Sequence, residues 1–135
     1  IKFAGKDKSH DAQLVLLAGL GDQQDDLRTL SIKEIDLGDS QIKDTALKSL
    51  LNMAKYDKNT TSRAAAIMKL ASTGDIDYIG LMYESIKNQS YKVIAGGISG
   101  LTKLAPNEGN KALMTLDEDT KKHVTLLIKK ENRKK

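Results

Sequence analysis

The chain has 135 residues, 39% of them apolar and 30% charged, with a formal net charge of +4, one Phe, four Tyr and no cysteine. That length makes one domain with room for a real core. The lack of cysteine excludes a disulfide framework, a thiolate metal site and a thiol nucleophile, and it suits cytosol and periplasm equally. No apolar run approaches the ~20 residues needed to span a bilayer.

The positive charge is not spread over the chain. Residues 129–135, KKENRKK, hold five basic and one acidic residue, and the rest hold seventeen of each. A nucleic-acid binder is expected to carry a basic face on the fold itself, so no nucleic-acid partner is expected. Residues 131–135 read as a solvated, frayed tail. Aromatics are scarce (Phe3, Tyr56, Tyr78, Tyr83 and Tyr91) and there is no Trp. A core of Leu, Ile, Ala and Met suits packed helices better than a β-sandwich.

Residues 1–9 are polar and read as a linker from a missing upstream region. A helix follows Asp11, with Leu14, Leu17 and Ala18 at helical spacing and Val15 and Leu16 widening the stripe. Gly19 and Gly21 stop it by taking the left-handed conformation. Residues 22–39 are the hardest to read. Leu27, Leu30, Ile32 and Ile35 fit a short helix, with Asp25 and Asp26 near its positive N-terminal end. Asp39 or Ser40 is the expected N-cap of the next helix. That helix carries an i, i+3, i+4 stripe of Ala46, Leu47, Leu50, Leu51 and Ala54, with Lys43, Lys48 and Lys55 on the water side.

After the turn Asp57-Lys58-Asn59, one of Thr60, Thr61 or Ser62 is expected to cap a helix burying Ala64, Ile67, Met68 and Ala71. Ser72-Thr73-Gly74 breaks it. Asp75 then caps a helix with Ile76, Ile79, Met82, Tyr83 and Ile86 on one face. Ser90 caps the next, which turns Ile94, Ile98, Leu101 and Ala105 inward and ends before Pro106 because the residue preceding proline is pushed out of helical geometry. Asn107 to Leu116 reads as a short helix on Ala112, Leu113 and Leu116. A last one begins near Glu118 with Val124, Leu127 and Ile128 inward. Six to seven short helices joined by turns of a few residues are antiparallel neighbours. The competing pattern is Leu27–Leu51, which looks like one leucine-rich repeat with a strand at Ile32–Leu37. Such a solenoid needs about three units, and only one is present.

No catalytic constellation emerges, so no catalytic, cofactor-binding or metal-ligating residue is assigned. His10 and His123 are the only histidines, and neither sits in the His-Glu-x-x-His pattern of zinc peptidases. Both read as surface residues. Gly97-Ile98-Ser99-Gly100 lacks the spacing of a nucleophile elbow. Asp25-Asp26 and Asp117-Glu118-Asp119 fall at helix N-termini, where carboxylates favour the dipole, and neither has the ligand spacing of an EF-hand. Gly96, Gly97 and Gly100 lie inside a helix at a cost of up to ~1 kcal/mol each. With no phosphate-loop context, they read as small residues that let a neighbouring helix come close.

Lys69-Leu70-Ala71 and Lys103-Leu104-Ala105 end two helical runs 34 residues apart, a period typical of α-solenoids. Ser62-Arg63-Ala64-Ala65-Ala66-Ile67-x-x-Leu70-Ala71, followed by a Gly turn and an Asp-capped helix, resembles a HEAT-type repeat. Ser90 to Pro106 looks like the next one, and the resemblance covers Gln41 to about Leu116. The expected fold is therefore an all-α, HEAT-like α-solenoid of antiparallel hairpins spanning residues 10–130.

More narrowly, the chain resembles the C-terminal helical region of bacterial zinc aminopeptidases of the aminopeptidase N family. That resemblance implies a non-catalytic domain that packs on an upstream catalytic domain of the same chain and narrows the access of peptide substrates. Zinc would belong to the parent domain and not to these residues, since none of the family's catalytic motifs occurs here. The start at Ile1 is consistent with a fragment, and a processed mature chain is the alternative. The other expectation is a stand-alone HEAT-type scaffold that binds another protein across an extended surface. Docking on a larger domain would leave apolar residues exposed, with Leu14–Leu17 and Ile32–Leu37 as the candidates.

Overall fold

The computed structural model describes residues 9–133, among which lie eight α-helices and no strand. They are α1 (His10–Gly19), α2 (Asp25–Glu34), α3 (Lys43–Tyr56), α4 (Thr60–Ala71), α5 (Ile79–Ile86), α6 (Tyr91–Leu104), α7 (Pro106–Thr115) and α8 (Glu118–Arg133), with a 3-10 turn at Ile76–Tyr78. The all-α expectation holds, and the count exceeds the six to seven expected. The stretch 22–39, hard to read from its pattern, supplies the regular helix α2. The leucine-rich alternative is excluded there, because Ile32 and Ile35 leave α2 as buried core residues and not as a strand. The expected linker lies, apart from Ser9, outside the described residues, as do 134–135. α8 continues to Arg133.

Local chemistry sets most helix ends. Asn59 accepts the Ser62 N–H at 2.9 Å and caps α4, one position before the Thr60–Ser62 group expected to do so. Ser62 is instead fully buried, and its hydroxyl shares a 2.7 Å hydrogen bond with that of Thr29. Ser90 caps α6 by accepting the Val93 N–H, and Asp75 accepts the Asp77 N–H at the 3-10 turn, both as expected. α3 has no side-chain cap at Ile42. The Asp39 carboxylate accepts the Gln41 N–H while its carbonyl accepts those of Ile42 and Lys43, so Asp39 shapes the preceding turn. Gly74, at φ 77°, is the one left-handed residue among those described and ends α4 as expected. Gly19 and Gly21 do not take that conformation. The chain leaves α1 through Leu20 in right-handed geometry, its N–H reaching back to Leu16 and Leu17. Pro106 closes α6 and opens α7 at once: Ala105 is extended, and Pro106 occupies the first turn, where its missing N–H costs nothing.

The helices form two kinds of pair. In α3/α4 and α5/α6, neighbours in sequence run antiparallel; residues 97 and 100 of α6 face 85 and 82 of α5. Alternate helices run parallel. From α2 to α4, Asp25 meets Asn59, Thr29 meets Ser62 and the Lys33 carbonyl meets Lys69. From α4 to α6, Thr61 meets Lys92, Ala64 meets Gly96 and Ala71 meets Gly100. From α6 to α8, Tyr91 meets Asp119 and His123, and Ile94 and Ile98 pack with Val124 and Ile128. Thus α2, α4, α6 and α8 make one parallel row, with α6 at its centre touching α4, α5, α7 and α8.

Small residues make the row close. A Cβ on Gly96 would sit 3.3 Å from the Cα, Cβ and carbonyl oxygen of Ala64, and one on Gly97 would sit 2.9 Å from the Met82 carbonyl and the Ser85 Cβ. At Gly100 it would overlap the Met82 sulfur, and at Gly109 it would meet the Thr102 Cα at 2.5 Å. The packing role expected for Gly96, Gly97 and Gly100 is thus met by specific neighbours.

The main core joins Leu16, Leu20, Ile32, Ile35, Ile42, Leu50, Ile67, Leu70, Met82 and Leu101, and a smaller one joins Ile94, Ala95, Ile98 and Val124. Two expected faces differ. In α1 the buried side is Ala12, Gln13 and Leu16, while Leu14 and Val15 are 44% and 49% exposed. Gln13 is fully buried because its side-chain oxygen accepts the Asp36 N–H at 2.7 Å, tying α1 to the turn after α2. Around α5, Met82 is buried, but Ile76 and Tyr83 are exposed; Ile76 lies in the 3-10 turn, and the Tyr83 phenol reaches Glu108 on α7.

Two glycine substitutions separate these effects. Gly97→Ala is expected to lower unfolding stability by about 1–3 kcal/mol, since it overpacks against α5 backbone. Gly80→Ala, with nothing within 4 Å of the added carbon, is expected to raise it by about 0.4–1 kcal/mol. Urea denaturation followed by circular dichroism measures both.

Candidate functional site

The parallel row leaves one face uncovered, and there the chain forms a groove of about 180 Å³. Every lining residue comes from α2, α4, α6 or α8. The floor is Ala64, Ala65, Met68, Ala95 and Gly96, closed on one side by Leu127 and Ile128. The side chains that let α4 and α6 approach each other are therefore also those that leave room above them. Lys33, Lys92 and Lys130 stand around the floor, one each from α2, α6 and α8, with Glu131 as the carboxylate among them. The Lys92 Nζ donates to the Thr61 hydroxyl at 2.8 Å, which holds it over the α4–α6 seam. None of the three lysines is in an ion pair among the described residues.

The groove continues past Lys92, Leu127 and Lys130 to Tyr91, His123 and Leu126. There the Tyr91 ring stacks on His123 at 4.5 Å between centroids, and its phenol donates to Asp119 Oδ2 at 3.3 Å. The Asp119 charge, helped by partial burial, holds the phenol above its ordinary pKa.

At the other end, α2 is braced in place. The Arg28 guanidinium grips Asp57 with two donors, at 3.1 and 2.9 Å, and donates to Asp25 at 2.6 Å and to the carbonyls of Asp22 and Gln23. Asp57 also accepts the Asn59 N–H, so one carboxylate fixes both the α3–α4 turn and α2. The hydrogen bond to Asp57 outweighs the cost of burial and holds Arg28 above its ordinary pKa. Paired forks of this kind combine strength with fixed geometry.

The residues singled out from the sequence do not converge. His10 lies on α1, where its Nδ1 is 3.1 Å from Asp39 Oδ2, and His123 lies on α8. Asp25 serves the Arg28 brace, and Asp117 accepts the Thr120 N–H at the start of α8. Hydrogen bonding to Thr120 holds the Asp117 carboxyl below its ordinary pKa. Among the described residues no group of three or more His, Cys, Asp or Glu is arranged to hold a metal ion. No helix among them is long and apolar enough to cross a membrane. Of the two apolar stretches expected to face a docking partner, Ile32–Leu37 is corrected: Ile32 and Ile35 are buried within the chain itself, while Leu14 and Val15 are exposed. The groove lysines had no local signal, because α2, α6 and α8 are far apart in sequence and each lysine looks like any solvated charge on its own helix.

The chain matches no family model, no curated protein and no solved structure.

Two substitutions test this framework. Asp57→Asn is expected to cost about 1.5–3 kcal/mol of unfolding stability by weakening charged hydrogen bonds, read by thermal and urea melts. Asp39 is held below its ordinary pKa, chiefly by the contact with His10. Its contribution is therefore complete above the ordinary carboxylate range and is lost as pH falls through its lower folded value. The difference in thermal midpoint between the parent chain and Asp39→Asn is expected to close on acidification through that region.

Proposed function

We propose that this chain is a non-catalytic scaffold, a HEAT-like α-solenoid whose parallel helix row receives another polypeptide. The observation that carries the reading is the groove itself: four helices contribute to one uncovered face, floored by small apolar side chains and rimmed by cations. Helical repeats bind through such extended surfaces, each unit contributing a strip. The antiparallel α3/α4 and α5/α6 pairs and the parallel step between alternate helices support the solenoid assignment.

A second reading follows from the resemblance to the aminopeptidase N family. In it the polypeptide is an upstream zinc peptidase domain of the same chain, and the helical region limits the entry of peptide substrates. The exposure of Leu14 and Val15 on α1 favours it, since these side chains suit a docking face at that end of the row.

Photo-crosslinkers anchored on lysines of the natively expressed protein test the scaffold reading. Lys33, Lys92 and Lys130 are expected to crosslink to polypeptide outside these 135 residues far more than Lys48, Lys55 and Lys111. An even distribution over all six overturns it. A parent polypeptide without His-Glu-x-x-His overturns the peptidase reading and leaves the scaffold standing.

A further inference from the structure

We propose that the groove over α4 and α6 takes an extended, acidic peptide segment, with carboxylates on Lys33, Lys92 and Lys130 and small apolar side chains on the floor between them. The proposal rests on the scaffold reading and names the chemistry of what the scaffold holds.

Three observations carry it. First, the charges are placed by the fold and not by composition. Outside residues 129–135 the chain carries as many acids as bases, yet the groove draws Lys33 and Lys92 from that part without an acid, and α8 adds Lys130 and Glu131 from the basic end. Second, none of the three lysines is in an ion pair among the described residues. Arg28, Lys87 and Lys111 have carboxylate partners, whereas Lys43, Lys48 and Lys55 are also in no ion pair among the described residues. What sets the groove apart is the gathering of three such lysines in one place.

Third, the floor is shallow and apolar. Ala64, Ala65, Ala95 and Gly96 project little, so a main chain can lie close to the helices, and the Thr61 and Ser99 hydroxyls line the same space.

The spacing sets the pattern. Packed helix axes lie about 8–10 Å apart, and an extended chain rises about 3.3 Å per residue. The α2-to-α6 step, which crosses α4, therefore matches carboxylates about five to six residues apart. In the α6-to-α8 step Lys130 also lies about eight residues (~12 Å) further along the helices than Lys92, so that step matches about four to five. Complementary charge here chiefly sets selectivity and association rate, and it weakens with salt.

The charges argue against three other occupants. Residues 1–8, IKFAGKDK, carry three lysines and one aspartate, so the chain's own start is not complementary. The acidic run Asp117–Asp119 of a second copy begins α8 and is engaged there with Thr120 and Tyr91. A nucleic acid would meet a floor of alanines, and the rings beside it, Tyr91 and His123, are already stacked on each other.

The test is fluorescence anisotropy on the folded chain with defined probes. One is a labelled ten-residue peptide with glutamates at positions 1, 6 and 10 and alanine or valine between them. The others are the same peptide with lysines at those positions and a thymidine oligonucleotide of equal length. The glutamate peptide is expected to bind, with affinity falling at least tenfold between 50 and 300 mM salt. The charge reversals K33E, K92E and K130E together are expected to abolish that binding and to confer binding of the lysine peptide. This swap cannot come from unfolding, and circular dichroism confirms that the triple variant remains helical.

The proposal is overturned if the oligonucleotide binds as well as the glutamate peptide or if the reversed variant does not switch preference. It is also overturned if light scattering shows the groove filled by a second copy whose dissociation follows the same reversals. If the peptide fails while Lys33, Lys92 and Lys130 still crosslink selectively to another polypeptide, the acidic assignment falls and the scaffold reading survives. If neither occurs, both fall.

Discussion

The structure depends on how closely α4 and α6 lie. Where Gly96 faces Ala64 and Gly100 faces Ala71, there is no room for another methyl group without movement. This seam fixes the place of α6, and through α6 it fixes α5, α7 and α8, which all pack on it. Glycines inside a helix are costly for helix formation alone. Their retention at four positions against Ala64, Met82, Ser85 and Thr102 makes sense only as a trade, local propensity given up for tertiary contact. Interiors tolerate such close approach because they are packed at crystal-like density, and added volume at the seam has nowhere to go.

The same seam generates the surface. Small side chains bring two helices together, but they also leave the top of the seam low, and longer side chains on α2 and α8 rise beside it. The groove is thus a by-product of the packing that holds the row. The Arg28 brace matters in the same way. Through Arg28 to Asp57, with Asn59 donating to Asp25 beside it, α2 is tied to the α3–α4 turn, which helps set where Lys33 stands. The close packing and the groove rim are carried by different side chains on the same helices, which leaves the rim lysines open to change without loss of the fold.

Much of the fold was legible in the chain because its signals are local. The stripe Ala46–Leu50–Ala54, the caps Asp75 and Ser90, the break at Gly74 and the stop at Pro106 all work within one or two turns of helix. What was not legible depends on partners distant in sequence. Leu14 and Val15 look as inward as Leu16 by spacing, and they face outward because α1 buries Leu16 in the core and Gln13 against the Asp36 N–H. Ile32 and Ile35 looked like a free apolar edge until the core around Leu16 and Ile67 was assembled over them. The candidate site was the least legible part. Lys33, Lys92 and Lys130 are ordinary surface lysines until three helices are placed side by side, and no pattern within any one helix announces that.

Parallel stacking has an electrical side. Each helix carries a partial positive charge at its start and a partial negative charge at its end, so a row of helices pointing the same way sets like poles next to one another. The chain meets this at both edges. Asn59 and Ser90 occupy the starts of α4 and α6, while Asp25, Asp26, Glu118 and Asp119 lie in the first turns of α2 and α8. Lys33, Lys69, Lys103, Lys130 and Arg133 lie in the last turns of the four helices. Each is worth roughly 0.3–1 kcal/mol at its own helix end, and the antiparallel α3 and α5 set opposite poles beside α4 and α6 as well. The row is thus polarised across its width, with a cationic margin where the helices finish. A ligand crossing the row meets a different field at each edge, and that asymmetry gives the face a direction.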